Sequence, residues 1–195
     1  MEPLDETRQR IMDATMALVR DKGYAATTTK DIARQAGVNE CTIFRKFKGK
    51  KDIILNAMEE KRWRPELGPG ILDKVSYELE PDLRLFMRTY LERVTADFVG
   101  LSIGLRAPQI YEETAPLIMK TPQSFMDALK VYFKEMAARG LIAETDFDCL
   151  AMTIFSATFG YTFLKASFED RLTPVEQDAY IAKSVALFVR GIERH

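Results

Sequence analysis

Histidine is almost missing from this chain: the only one is His195, the last residue. Without a second imidazole, no Ser–His–Asp or Cys–His pairing can be assembled away from that end, where fraying is the norm. Cysteine is nearly as scarce. Cys41 and Cys149 lie far apart and form neither metal-ligand nor disulfide spacing, which points to a reducing compartment. Long apolar runs are lacking too. The longest uncharged stretch, Cys149 to Leu164, has 16 residues and includes Thr153, Ser156, Thr158 and Thr162. A bilayer crossing needs about 18–20 residues, so this stretch reads as a buried helix. The opening MEPLDETRQR is charged and has no apolar core, so no secretory signal is expected. Glu112–Glu113 offers two carboxylates, but adjacent residues diverge on a helix, which makes them a solvated end. These absences argue against an enzyme, a metal centre or a cofactor, and predict a soluble cytoplasmic protein with no membrane partner.

What is present is unevenly spread. A formal charge of −1 hides a net of +4 over residues 1–64 (14 Lys/Arg, 10 Asp/Glu) and a net of −5 over residues 65–195 (14 Lys/Arg, 19 Asp/Glu). That asymmetry suits a polyanion-binding end joined to an acidic body.

Within the basic end, GYAATTTKDIARQAGVNECTIFRKF (residues 23–47) reads as a helix-turn-helix. Thr28 can cap a short helix with Ile32, Ala33 and Ala36 inside, and Asp31 stands where a capping-box partner belongs. Gly37 supplies the stop, because the left-handed region is cheapest without a Cβ. Val38 plugs the corner, Asn39 can cap the next helix, and Ile43 and Phe47 lie one turn apart on its buried side. Two short helices about such a turn place the second in the DNA major groove. Five cations follow between Thr42 and Lys51 (Arg45, Lys46, Lys48, Lys50, Lys51) with no acid among them. Lys50 and Lys51 fall on the first turn of the next helix, where a cation costs from a few tenths to about 1 kcal/mol unless a phosphate docks there.

Residues Gly23-Tyr24, Thr28-Thr29, Ile32-Ala33, Ala36-Gly37-Val38, Thr42-Ile43-Phe44, Phe47 and Lys50 resemble the DNA-binding domain of the TetR family of transcriptional regulators, over about 30 residues without a gap. The rest matches only in length and helical character. The resemblance implies that Thr28 and Thr29 meet phosphate through hydroxyl and backbone N–H, and that Thr42, Lys46 and Lys50 make further backbone contacts. It places Lys30, Glu40, Cys41 and Arg45 at base-reading positions. Arg45 or Lys30 could grip guanine, and Glu40 could accept from cytosine, each good pair discriminating by about 1–3 kcal/mol. There are departures. Phe44 stands where the family commonly has Tyr, which removes a hydroxyl-to-phosphate bond. Lys46 replaces His as a permanent charge, Cys41 replaces Gly, and Asn39 replaces Ser; oxidation of Cys41 would put polar bulk against the groove.

Helical period continues to the end, so the predicted fold is all-α: an N-terminal three-helix helix-turn-helix domain (1–51), a connecting helix (52–64), and a helical-bundle effector-binding and dimerisation domain (65–195). A first helix carries Ile11, Ala14 and Leu18 and ends near Gly23. The connecting helix runs from Asp52 through Trp63, and the linker RPELGPG (64–70) marks the boundary. Later helices are expected from Pro81 through Phe98, from Leu101 to Tyr111, from Pro122 to a stop at Gly140, from Phe147 to Phe168, and from Pro174 to Ile192.

One helix-turn-helix makes too few contacts to select a site in a genome, so a homodimer is expected. Its seam is predicted at Leu150, Ile154, Ala157 and Tyr161 of one helix and Ala182, Val185, Leu187 and Phe188 of the other. The resemblance also implies an effector cavity, whose candidate residues are Trp63, Phe86, Met87, Tyr90, Leu105, Gln109, Phe125, Met126, Leu129 and Phe159. Aromatics beside adaptable methionines suit a bulky, largely apolar ligand. Arg106, closing the run VGLSIGL, either meets an anionic head group or lies exposed at a helix end. The partners expected are a double-stranded DNA operator, a small-molecule effector and a second copy of the chain. The predicted function is a ligand-responsive repressor in which effector binding tilts the helix over 52–63. Its rivals are a DNA-bound scaffold recruiting a protein partner without an effector, and an all-α enzyme or carrier with a vestigial motif.

Overall fold

A computed structural model describes residues 5–63, 65 and 67–192. Among the described residues there is no strand. The helices are α1 (Glu6–Ala26), α2 (Thr29–Ala36), α3 (Glu40–Lys46), α4 (Lys50–Glu59), α5 (Pro69–Leu72), α6 (Leu79–Arg93), α7 (Ala96–Gly104), α8 (Tyr111–Ala138), α9 (Phe147–Phe168) and α10 (Gln177–Ile192). Short 3₁₀ turns lie at Lys61–Trp63 and Glu169–Arg171. The chain forms two compact units, Met1–Arg64 with Asp97–Met119, and Pro65–Ala96 with Lys120–His195.

In the first unit α1 opens at Asp5, whose carboxylate accepts the Arg8 N–H at 3.2 Å. Helical geometry is interrupted at Gly23 (φ 79°, ψ 164°), the position where a stop is predicted. Ile11, Met16 and Val19 of α1 meet Ile32 and Ala36 of α2, Ile43 of α3, and Ile53, Ile54, Ala57 and Met58 of α4. Burial of each large aliphatic contributes about 1.5–3 kcal/mol. The same core takes in Leu101, Leu105 and Ile110. That inclusion requires α7 to lie flush on α1. A Cβ at Gly104 would come within 3.1 Å of the Val19 carbonyl carbon and 3.2 Å of Val19 Cγ1, and closer still to the carbonyl oxygen.

The connecting helix is shorter than expected. α4 ends at Glu59, because Glu60 turns extended (φ −75°, ψ 135°) and a separate 3₁₀ turn carries Trp63. The side chains beyond the break are drawn back to α1: Glu60 accepts from Gln9 at 3.3 Å, and Arg62 pairs with Asp13 and Glu60.

In the second unit Leu83, Phe86, Met87 and Tyr90 of α6 pack with Phe125, Leu129, Tyr132, Phe133 and Met136 of α8, Ile154 of α9, and Ile181 and Val185 of α10, all of them buried. Several boundaries differ from expectation. Val94 leaves helical geometry (φ −92°, ψ 82°), so Phe98 belongs to α7 and not to the helix begun near Pro81. α7 starts at Ala96, and α8 starts at Tyr111, not Pro122, passing through Pro116 and Pro122. The linker segment is partly tied down: Leu67 and Ile71 are buried, and Thr121 Oγ1 donates to the Pro65 carbonyl at 2.9 Å. α9 has the predicted bounds, but it is not a buried helix; 28% of its apolar stretch is buried, and by length and composition alone it could cross a membrane.

Candidate nucleic-acid interface

The turn between α2 and α3 is built as the sequence predicts. Thr28 Oγ1 accepts the Asp31 N–H at 3.1 Å and donates to the Asp31 carboxylate at 2.8 Å. Lys22 at 2.6 Å and Arg34 at 2.8 Å surround the same carboxylate. These contacts, the Lys22 hydrogen bond first and the Thr28 hydroxyl next, pull the Asp31 pKa down to about 2. Gly37 takes the left-handed region (φ 65°, ψ 42°), and the Val38 N–H returns to the Ala33 carbonyl at 3.0 Å. One expectation fails: Asn39 is extended and makes no side-chain cap. The first turn of α3 is instead closed by the backbone bond from Thr42 N–H to the Asn39 carbonyl, at 2.8 Å.

The cations divide into committed and open groups. Lys50 lies at the start of α4 and donates to the carbonyls of Tyr24 (2.5 Å) and Thr27 (2.6 Å), with its ammonium 3.9 Å from the Tyr24 ring centre. Burial, and then Lys22, push its pKa down. Two of its three donors are thus used, and one remains for a phosphate. Lys51 pairs with Glu113, and Lys46 with Asp5, whose carboxyl this bond holds below its usual range. The α4 N-terminus has its own anion, since Asp52 accepts the Lys48 N–H at 2.9 Å. Sequence reasoning misses these partners because they lie up to 62 residues away. By contrast, the side chains of Lys30, Arg45 and Lys48 have no ion pair among the described residues.

Of the other DNA candidates, Thr29 Oγ1 donates to Glu40 at 2.5 Å, so both side chains begin engaged with each other. Thr42 is half-buried, Cys41 is an exposed free thiol, and Phe44 holds its ring 57% exposed on α3. Residues 28–30 and 40–50 therefore come together on one side of the first unit as a largely basic patch about α3.

The effector candidates are divided between the two units. Trp63, Leu105 and Gln109 lie in the first unit, where Leu105 is core and Gln109 is exposed. The other seven lie in the second unit. There Phe86, Met87, Tyr90, Phe125 and Leu129 are core, and Met126 and Phe159 are half-buried. Phe86–Phe125 at 6.0 Å, Tyr90–Phe125 at 4.9 Å and Tyr90–Phe155 at 5.9 Å form a run of touching rings. Sequence reasoning also missed three buried polar atoms without a hydrogen-bond partner among the described residues: Trp63 Nε1 in the first unit, and Asp82 Oδ2 and Tyr132 Oη in the second. Arg106 is exposed.

Among the dimer candidates, Ile154 and Val185 are fully buried within the second unit, which takes them out of any direct contact with a second copy. Their apolar neighbours of α8 and α6 claim those positions first. Leu150, Ala157, Tyr161, Ala182 and Phe188 are half-buried, and Leu187 is 69% exposed.

Residues 11–57 match the family model described as bacterial regulatory proteins, tetR family. The HTH-type transcriptional regulator YvkB of Bacillus subtilis (strain 168) is 33% identical over 186 residues, covering 95% of this chain and 97% of its own. The fatty acid metabolism regulator protein of the same organism is 38% identical over 52 residues, 27% of each chain. The fold matches the transcriptional regulator FadR from Bacillus subtilis in complex with stearoyl-CoA (TM-score 0.71, 21% identity, 95% of this chain and 99% of that one). It also matches the fatty acid degradation regulator FadR from Bacillus halodurans (TM-score 0.73, 17% identity, all of both chains). A capped helix-turn-helix at the matched residues, together with similarity along nearly the whole chain, shows that this protein belongs to the TetR family of DNA-binding transcriptional regulators and is not an enzyme.

Proposed function

We propose that the protein is a homodimeric repressor that grips a palindromic operator in the cytoplasm and is released by a small, largely apolar effector. The observation that carries this reading is the set of cations left open around α3: Lys30, Arg45 and Lys48 are exposed and unpaired among the described residues, beside the exposed ring of Phe44. Arg45 and Lys30 read base edges, the Phe44 ring meets a thymine methyl, and Thr28, Thr29, Thr42, Lys46 and Lys50 hold the backbone. Lys46 must exchange Asp5 for phosphate to do so, and Glu40 reads a cytosine only after releasing Thr29.

Dimerisation is supported by the exposed apolar side of α9 and by Leu187 on α10; Met152, Leu164 and Phe168 are all exposed. Exposed apolar side chains on these two helices suit burial against a second copy. An apolar effector is supported by the ring-lined interior of the second unit, and by relatives named for fatty acid metabolism, one of them bound to stearoyl-CoA. In this reading the effector prefers one setting of α4, since only differential affinity shifts an equilibrium. A second reading, a DNA-bound scaffold without an effector, is favoured by one observation: the rings of Phe86, Tyr90 and Phe125 already touch.

Sedimentation and DNA-binding measurements test the proposal together. The expected result is a dimer that binds fragments recovered from the source genome and is released by acyl compounds, with Leu187→Glu shifted towards monomer and binding more weakly. A wild-type protein that is monomeric and indifferent to every duplex at low ionic strength would overturn it. Release by no apolar compound, with DNA binding intact, would favour the scaffold.

A further inference from the structure

We infer that an open groove between α1, the turn at Gly37 and α3 seats a phosphate of the bound duplex, with Arg10 as its principal ligand. This rests on the proposed operator binding and extends the footprint to α1, a helix outside the helix-turn-helix. The groove encloses about 530 Å³ and is lined by Arg10, Arg34 and Arg45 with the polar side chains of Thr7, Asn39 and Thr42; no acid lines it. Arg10 has no carboxylate partner and Arg34, though paired with Asp31, keeps donors free, so a phosphate in the groove is attracted without displacing an acid, while Arg45 at its edge reaches the bases.

The surface arginines divide into two groups, and Arg106, Arg171 and Arg190 fall with Arg10 and Arg45 in the one without an ion pair among the described residues. Arg20, Arg62, Arg84, Arg88 and Arg139 each sit on a carboxylate. Arg10 and Arg45 pair with no described residue. Arg34 holds Asp31 through one terminal nitrogen at 2.8 Å and keeps further donors. Arg10 reaches to the turn, since a Cβ at Gly37 would meet its Nη1 at 3.9 Å. The Asn39 amide, which makes no cap bond, faces the same space. A guanidinium fork matches the paired oxygens of a phosphate, and hydroxyl and amide donors complete such a site. Arg45 and Thr42 belong to both the groove and the reading helix, so the anion that reaches it when α3 docks is one of the DNA backbone.

The test measures binding to a labelled random-sequence duplex of about 30 base pairs between 50 and 200 mM salt. Arg10→Gln should lower the slope of log K against log salt by about 0.9 per protomer. For a dimer, the wild type then loses about tenfold more affinity than the variant across that range. Arg10→Lys should keep most of the slope, Arg84→Gln all of it, and the thermal midpoint of Arg10→Gln should be unchanged because the residue is exposed. If Lys48→Gln lowers the slope and Arg10→Gln does not, the groove assignment falls and operator binding stands. If the wild type binds no duplex, both fall. If Arg10→Gln leaves the slope unchanged but weakens calorimetric binding of inorganic phosphate, the groove serves a free anion and the DNA assignment is overturned.

Discussion

Lys50 gives the sharpest quantitative test, because the structure assigns it work that a phosphate contact alone would not. In Lys50→Met the stem still packs on Tyr24 and only the ammonium is lost. Two bonds from a charged donor disappear, at Tyr24 O and Thr27 O, with a cation–π contact. Bonds to charged groups are each worth about 1.5–3 kcal/mol, and an exposed cation–π contact about 0.5–1. The sum needs discounting. Tyr24 O keeps the Thr27 N–H at 3.2 Å, so one carbonyl and not two loses its partner. The native ammonium is also partly desolvated next to Lys22, as the downward direction of its pKa shows. A net loss of about 2 kcal/mol is expected. The only tryptophan, Trp63, packs against the core of the first unit, so its emission in a urea titration reports that unit directly. A loss under about 0.5 kcal/mol, the range of inert surface changes, would refute the structural role. The salt dependence of DNA binding separates the second role: destabilisation without a lower slope would make Lys50 scaffold alone.

Gly104→Ala should destabilise the first unit by about 1–3 kcal/mol, because the new methyl meets the Val19 backbone and not a movable side chain; an unchanged urea midpoint would show that α7 sits further from α1. Asp31 titrates near 2 in the folded protein against an ordinary 3.8, so its stabilising effect is complete above about pH 4 and vanishes as pH falls towards 2. Asp31→Asn should therefore be less stable than wild type at pH 6 and equal to it near pH 2, and a constant gap across acid unfolding curves would contradict the assignment. Arg45→Ala should relax base preference at one position of each half-site in a sequence-selection assay; uniform weakening across sequences would make it a backbone contact.

The helix-turn-helix was legible because its determinants are local. Thr28 bonds a residue three positions on, and Gly37 needs only its own φ. The bounds of α9 were legible for the same reason, with Asp146 accepting the Cys149 N–H at its start. Where long-range packing decides, the sequence misleads. Pro122 reads as the start of a helix, yet α8 begins at Tyr111 and passes through both Pro116 and Pro122, because Thr114, Thr121 and Phe125 are buried along it and tertiary contacts outweigh the lost backbone bonds. Ile154 and Val185 read as seam residues because an interface and a core demand the same side chains; only burial tells them apart. The partners of Lys50 lie 26 and 23 residues away, beyond any local pattern.

The membership of residues 97–119 in the first unit bears on how this regulator can be dissected. The opening stretch of α8, through Met119, belongs to the DNA-binding lobe, and its remainder belongs to the other. No single cut frees either lobe. A fragment stopping at Arg64 would lack Leu101, Leu105 and Ile110 and would bare the apolar flank of α1 that they cover. Such a fragment would aggregate instead of serving as a minimal DNA binder, and a working miniature would have to carry the 97–119 segment grafted back on.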